Sequence, residues 1–504
     1  KYLPEKVVSM SIRYPFLCCL GLGILLCFSC QQPNKAILIT NVQLVDGKGN
    51  APINGAIRIV EGKIQAMGDI SFAAGDSVID GKGATLSPGF IDSHSHHDWD
   101  PDRSVLAAVS QGITTIVIGQ DGRSNSPLAS YFDSLQTYPL AVNVASYVGH
   151  NSLRLKVMGE DFKREATEEE IQLMAEMLET DLEAGALGLG TGLEYDPGIY
   201  SSTEEVISLA KVASEMGGRY ISHMRSEDIY LEEAVEEIIR IGKEADIPVQ
   251  ISHFKLARKG LWGKAGEILK RLDEARAEGV KITADVYPYE YWQSTMTVLF
   301  PKRDFTNRAS ATFALTELTD PEGMIISDFV ADTSYEGKTL AEISVIRNED
   351  PVDVYMKLIA MAEETPGESI IARSMTEEDI FTLLEWPYSN VCSDGSYRGH
   401  PRGWGAFPRY FAKMNSISIE ERVQKMTSLS ARHVGLEGIG ILEEGAPADL
   451  VLFYPEELVD RATFDQVKRV AAGISSVWVS GVKVYENSRA TGKFPGRILK
   501  RKSR

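Results

Sequence analysis

Cysteine is almost missing from the body of this sequence. Of five cysteines, Cys18, Cys19, Cys27 and Cys30 fall within the first thirty residues, leaving Cys392 alone in the rest. With that segment removed no internal disulfide can form, so the body folds without oxidation. Positive charge is also short: 52 Lys and Arg stand against 71 Asp and Glu, a formal net charge of −19. A phosphate backbone would be repelled, which argues against a nucleic-acid partner. There is no repeat at solenoid periods and no low-complexity tract. Histidine is scarce, with eight in 504 residues. A chain of this length forms two or more structural units with ample cores.

The apolar run from Phe16 to Ser29 is too short to be read as a spanning helix. Behind Met10-Ser-Ile-Arg13 it has the basic start and short apolar core of a secretory leader, expected over residues 1–30. Residues 1–9 read as upstream translation, with Met10 as the start. Leu26-Cys-Phe-Ser-Cys30 resembles a bacterial lipoprotein cleavage site at which Cys30 would be lipidated, although Cys27 and Phe28 depart from the small residues usual there. The expectation is an exported protein of the bacterial cell envelope, periplasmic or an outer-membrane lipoprotein. It would meet the membrane only through Cys30.

Beyond the leader, Ala36-Ile-Leu-Ile-Thr and Ala56-Ile-Arg-Ile-Val are β-branched runs, with turns at Asp46-Gly47, Glu61-Gly62 and Asp80-Gly81. From residue 89 the pattern becomes strand, loop, amphipathic helix, repeated. Strands are expected over 89–94, 114–119, 141–147, 186–190, 219–223, 249–253, 281–286 and 390–393, with helices over 167–183, 203–216, 230–244 and 264–278. Eight such strands predict an α/β fold, a (β/α)8 TIM-like barrel over 89–424. The long interval 290–385, between the seventh and eighth strands, reads as an insertion able to cover the barrel mouth. Strands return after 425, in Ala448-Asp-Leu-Val-Leu-Phe-Tyr-Pro and Ser475-Ser-Val-Trp-Val. Residues 31–88 and 425–495 are expected to form one small β-sandwich domain built from both ends of the chain. The basic tail Arg497 to Arg504 reads as a solvated end.

The polar residues at the strand ends carry the chemistry. In Ser87-Pro-Gly-Phe-Ile-Asp-Ser-His-Ser-His96, alternation points His94 and His96 to one side, with Asp92 and Asp98 within reach. Alone, such a pair is cheap and could be two packed histidines. Asp121 follows the second strand, however, His223 ends the fifth, His253 the sixth and Asp394 the eighth, all at the C-terminal mouth where this architecture puts its active sites. Four histidines and two carboxylates suit Zn²⁺ with an open position for water. His97 should face away by alternation, and His433 reads as a helix residue without a chemical role. His150 and His400 are candidates for the loop layer around the substrate.

Several stretches carry a specific resemblance: Pro88-Gly-Phe-Ile-Asp-Ser-His-Ser-His, Ser222-His-Met-Arg225, Ser252-His-Phe-Lys255, Ser393-Asp-Gly and Gly445-Ala-Pro-Ala-Asp-Leu-Val-Leu-Phe. They resemble the amidohydrolase superfamily. Gly149-His-Asn-Ser-Leu-Arg154, Gly192-Leu-Glu-Tyr-Asp-Pro-Gly198, Asp285-Val-Tyr-Pro-Tyr289, His400-Pro-Arg402 and Gly405-Ala-Phe-Pro-Arg409 narrow the likeness to the N-acyl-D-amino-acid deacylases, or D-aminoacylases. One departure stands out. The family commonly carries a cysteine ligand in a Gly-Asn-Cys-Gly setting after the second strand, and here that stretch reads Gly119-Gln-Asp-Gly122. A carboxylate is harder than a thiolate and loosens the preference for zinc, so one metal or two remains open at this stage.

The resemblance implies zinc-dependent hydrolysis of a linear amide bond, releasing a free D-amino acid. It assigns Asp121, His223 and His253 to the tighter metal, His94 and His96 to completing or extending the site, and Asp394 to proton transfer. The substrate's α-carboxylate needs a cation. Lys255 alternates to the same side as His253, and Tyr287 and Arg402 match family motifs. Arg225 is a further candidate, or else it holds a loop acid. Two alternatives keep the fold: a cyclic amidase of hydantoinase or dihydropyrimidinase type, or a dipeptidase. Many of these use a carbamylated lysine after the fourth strand, where Gly188-Leu-Gly-Thr-Gly-Leu-Glu-Tyr has none. A third alternative is a lipid-anchored binding protein that has lost the chemistry.

Overall fold

A computed structural model of the chain describes residues 36–502. The expected leader and Cys30 lie outside the described residues. None of the described helices is long and apolar enough to cross a membrane.

The β-branched run Ile113–Ile118 is buried at every position and is the centre of the first half of the barrel. It pairs in parallel with Phe90–Asp92 on one side and Asn143–Ser146 on the other. The third strand breaks at Tyr147 and resumes as Val148–Gly149, which leads into Gly188–Gly192, Arg219–His223, Val249–Ile251, Ile282–Val286 and Ser389–Val391, each parallel to the last. A parallel bridge between Ser95 and Gly395 joins the eighth strand to the first. Around it the Asp394 N–H donates to the His94 carbonyl at 2.9 Å and the His96 N–H to the Gly395 carbonyl at 3.0 Å. The result is the expected (β/α)8 barrel, with helices at Glu168–Glu183, Thr203–Glu215, Leu231–Glu244 and Ala265–Ala277. Thr167 and Ser202 start two of these by accepting from the N–H groups of Glu170 and Glu205.

Three strands end two residues earlier than expected, at Asp92, Ile251 and Val391. His253 and Asp394, just beyond, have φ of +34° and +44°, and a left-handed residue ends an extended run. His94, His96, Asp121, His253 and Asp394 therefore stand on the turns above the strands, while His223 ends its strand.

The β domain draws on both ends of the chain. Leu450–Phe453 pairs antiparallel with Thr85–Pro88, which links Ile37–Leu44, Ile53–Val60 and Lys63–Gly68 to Ile474–Val479 and Val482–Glu486 in one nine-stranded sheet. Ile39, Leu44, Ile57, Leu86, Leu450 and Trp478 form its core. The helix Ser428–Val434 lies past residue 425, yet Ala431 and Val434 pack with Ile91, Val117 and Ile221 of the barrel. Its His433 gives Nδ1 to Asn390 Oδ1 at 2.6 Å.

The tail corrects the expectation of a solvated end. Ile498 bridges Val144 in parallel, the Leu499 N–H donates to the Val144 carbonyl, and the Arg501 guanidinium reaches the carbonyls of Leu182 and Ala186 at 3.1 and 3.2 Å. The Leu182 carbonyl also accepts the Gly185 N–H at 3.0 Å at the end of its helix, and the tail adds a side-chain donor there.

The interval between strands seven and eight forms its own antiparallel sheet, Tyr291–Ser294, Glu368–Arg373 and Met324–Phe329, backed by helices Leu340–Arg347 and Pro351–Glu364. Its residues line a cavity of about 960 Å³ over the mouth. Among them, Glu368 accepts the Met296 N–H at 2.9 and 3.0 Å, and burial pushes its carboxyl up to about 7. A carboxyl raised on folding stabilises the protein fully below its unfolded value near 4.5, and that contribution is lost as pH rises through 7. The loss is at most about 3 kcal/mol. Glu368→Gln keeps an acceptor and cannot ionise. The variant should match the wild type in Tm at pH 4 and exceed it at pH 8; an equal gap at both pH values would reject this account.

Candidate metal centre and active site

Asp121 sits where four imidazoles meet. Its Oδ2 lies 3.3 Å from His94 Nε2 and 3.2 Å from His96 Nε2, and its Oδ1 lies 3.2 Å from His253 Nε2 and 3.9 Å from His223 Nδ1. Asp394 Oδ1 stands 3.6 and 3.4 Å from the same nitrogens of His94 and His96. The donors fall into two adjoining groups, His94–His96–Asp121–Asp394 and Asp121–His223–His253, which share Asp121. His223 Nδ1 and His253 Nε2 face each other at 2.9 Å.

Local sequence explains the geometry. Asp121 has φ of +54° and is followed by Gly122, also left-handed at +76°, where a Cβ would lie 2.1 Å from Asn151 Oδ1. Asp121, His253 and Asp394 are thus three non-glycine residues in a conformation that costs on the order of 1–3 kcal/mol each. Gly395 and Gly403 bring two loops together: a Cβ on Gly395 would meet the Gly403 Cα at 2.5 Å. That approach puts Arg402 Nη1 2.9 Å from Asp394 Oδ2. Burial raises Asp394, and Arg402, His253 and His94 overcome it and hold the carboxyl below its usual range.

The other expected substrate residues are arranged unevenly. Lys255 lines the cavity but is not free: its Nζ is 2.6 Å from Glu227 Oε2 and 2.7 Å from His253 Nδ1. Arg402 lines it too, and its Nε and Nη1 are buried without an aligned acceptor among the described residues. Tyr287 is buried behind them, its ring 4.4 Å from the Arg402 guanidinium and 5.9 Å from Lys255 Nζ. His150 does not reach the cavity. It is wholly buried and bonded to Glu205 at 2.7 Å, which also holds Arg154, so it ties helix His150–Met158 to Thr203–Glu215. Arg225 forks onto Glu237, His400 Nδ1 accepts the Arg402 N–H at 2.9 Å, and His97 is buried outside the cavity lining.

Sequence reasoning missed the carboxylates behind the imidazoles. Glu194 Oε2 is 2.8 Å from His223 Nε2, Glu227 Oε1 is 3.0 Å from His253 Nδ1, and Asp285 Oδ1 is 3.7 Å from His94 Nδ1. Such partners set which ring nitrogen bears the proton and so which is left for a metal. Burial keeps His223 neutral, at about 4. Burial, with Asp228 and Glu227 beside it, raises the Glu194 carboxyl. Glu194→Ala should weaken metal binding about 10–100-fold, read by competition with a chromophoric chelator. Glu194→Gln keeps an acceptor and should recover most of that loss. Wild-type affinity in the alanine variant would refute the role.

The D-aminoacylase of Alcaligenes xylosoxydans xylosoxydans is 35% identical over 497 residues, covering 92% of this chain and 97% of that protein. The chain belongs to the N-acyl-D-amino-acid deacylase family of amidohydrolases. The model of the amidohydrolase family matches residues 330–485. Among solved structures, a D-aminoacylase described by its binuclear metal centre superposes with a TM-score of 0.83 at 32% identity, over 92% of this chain and 99% of that one. The N-acyl-D-glutamate deacylase from Bordetella bronchiseptica, solved with zinc and a phosphonate inhibitor, does so with a TM-score of 0.82 at 30% identity and the same coverage. As a deacylase of this family, the chain is a metal-dependent amidohydrolase.

Proposed function

We propose that this protein hydrolyses N-acyl-D-amino acids to a carboxylate and a free D-amino acid, using zinc held at the barrel mouth. The observation that carries the reading is the convergence on Asp121 of His94, His96, His223 and His253, with Asp394 ion-paired to Arg402 beside them. The D configuration rests on the likeness to D-aminoacylase and to the aspartate and glutamate deacylases.

The donor set fits a divalent metal. Nitrogens and carboxylate oxygens point inward together, and His223 and His253 present two ring nitrogens to each other, an arrangement a cation between acceptors relieves. Asp121, His223 and His253 would hold one ion; His94, His96 and Asp394, with Asp121 shared, form the donor group for a second. Zinc there supplies Lewis-acid polarisation of the scissile carbonyl and lowers the pKa of water.

The chain's own groups do the rest. Asp394, kept ionised by Arg402, accepts the proton of the attacking water at Oδ1, the oxygen facing His94 and His96, and returns it to the leaving nitrogen. The Arg402 guanidinium, whose Nε–H has no aligned acceptor among the described residues, receives the substrate α-carboxylate. Lys255 adds positive charge from its pair with Glu227, and Tyr287 supports both cations from below.

The test is metal analysis of the purified protein followed by amine release from N-acetyl-D- and N-acetyl-L-amino acids, hydantoins and dipeptides. D-substrate turnover that chelation abolishes and zinc restores is the expected result. Activity confined to cyclic amides or dipeptides would overturn it.

We also infer export to the bacterial envelope with a lipid on Cys30, supported by the apolar run Phe16 to Ser29 and the Leu26-Cys-Phe-Ser-Cys30 sequence. The full chain should partition into detergent and Cys30→Ser should not. A wild type that stays in the aqueous phase would reject the anchor.

A further inference from the structure

The cavity over the metal centre is larger than a short acyl group needs. Its volume of about 960 Å³ is at the upper end of sites that enclose drug-sized ligands. Two of its rim residues are large hydrophobics left open to solvent: Trp99 is 60% exposed and Leu155 is 43% exposed. A single exposed apolar side chain is ordinary. Two over one cavity, beside the reactive centre, are apolar area that a ligand can cover.

Trp99 stacks on His96, with ring centroids 5.0 Å apart and planes 28° off parallel. One ring face is thereby taken, and the exposed area belongs to the rest of the indole. Phe305 joins the lining from the insertion. Nearby Arg303 donates to the Glu194 carbonyl at 2.6 Å and reaches Asp196 Oδ1 at 3.3 Å, which fixes that stretch over the fourth strand.

The order of the strands gives this surface a direction. Trp99 follows the first strand, Leu155 sits on the helix after the third and Phe305 lies by the fourth. Lys255 and Arg402 follow the sixth and the eighth. Strand eight closes on strand one, so Trp99 stands on the Arg402 side of the rim and Leu155 and Phe305 stand further round it, by strands three and four. A substrate whose α-carboxylate is held by Arg402 and whose amide lies at the histidines runs its acyl group along this rim.

Resting on the deacylase reading above, we propose that the arc Trp99–Leu155–Phe305 is an acyl-chain subsite and that the substrates carry a medium-length or longer apolar acyl group in place of acetyl. Each methylene covered is worth about 0.8 kcal/mol, roughly fourfold in affinity, so three well-covered methylenes give a preference of about 60-fold.

The experiment compares kcat/KM for N-octanoyl and N-acetyl derivatives of one D-amino acid, in the zinc-loaded wild type, Trp99→Ala and Leu155→Ser. The octanoyl-to-acetyl ratio is expected to be at least about 30 in the wild type and to fall at least fivefold in each variant. Because it is a ratio, a general loss of activity through His96 does not move it. A wild-type ratio of one or less, or a ratio unchanged in both variants, overturns the subsite. If neither derivative is cleaved, the deacylase reading fails, and the subsite is judged by binding. Octanoate should then perturb the intrinsic fluorescence at least tenfold more tightly than acetate, with a signal lost in Trp99→Phe. Equal binding of the two acids overturns the subsite on its own.

Discussion

Asp394→Asn should leave metal content and fold intact while kcat falls by about three orders of magnitude, within the span of a lost general base. The amide fills the same volume and can still accept the His94 and His96 contacts at 3.6 and 3.4 Å. What it cannot do is take a proton at Oδ1. The change also uncouples Arg402, whose Nη1 lies 2.9 Å from Oδ2. With that charge free, substrate binding should hold or tighten as turnover collapses, so KM and kcat move apart. Stopped-time amine release with metal analysis of the same preparation reads both. Retained turnover would remove Asp394 from the proton path, and lost metal would make it a ligand first.

A larger effect is expected at Asp121, the one residue common to both donor groups. Asp121→Ala should lower metal affinity by more than about 100-fold, beyond what loss of a supporting partner costs, and abolish activity at stoichiometric zinc. Asp121→Cys is the more informative change. A thiolate at this position is softer, so the variant should bind zinc and gain selectivity for it over manganese, while the wild type tolerates harder ions better. Competition of the two metals for each protein measures this. Identical selectivity in wild type and Asp121→Cys would mean that Asp121 does not set the metal preference.

Much of this arrangement is legible in the sequence because two simple periodicities mark it. β-Branched runs alternating with amphipathic helices report the barrel, and polar residues at the ends of those runs report its mouth; His94, His96, Asp121, His223, His253 and Asp394 meet there. What fails to show is anything that acts through another side chain. Glu194 and Glu227 touch imidazoles from loops, at no fixed spacing, and Asp285 stands inside the seventh strand, one residue before its end. Alternation does put Lys255 beside His253, but cannot reveal that Glu227 would claim it. His150 reads as a residue of the loop layer around the substrate, whereas it begins a helix and is buried against Glu205. The tail misleads for a related reason: charge suggests solvent, while its backbone and Arg501 answer barrel-floor carbonyls that sequence does not display.

Asp121, His253 and Asp394 hold backbone conformations that the chain would leave if released. The mouth is therefore a locally frustrated rim on a well-packed barrel, and its opening is separable from that of the strands below. A cation that binds only the assembled rim stabilises it in proportion to the logarithm of its free concentration. Metal loss is then a local unfolding event. Amide exchange in the loops after strands two, six and eight should follow free zinc, while Ile113–Ile118, buried throughout, stays protected.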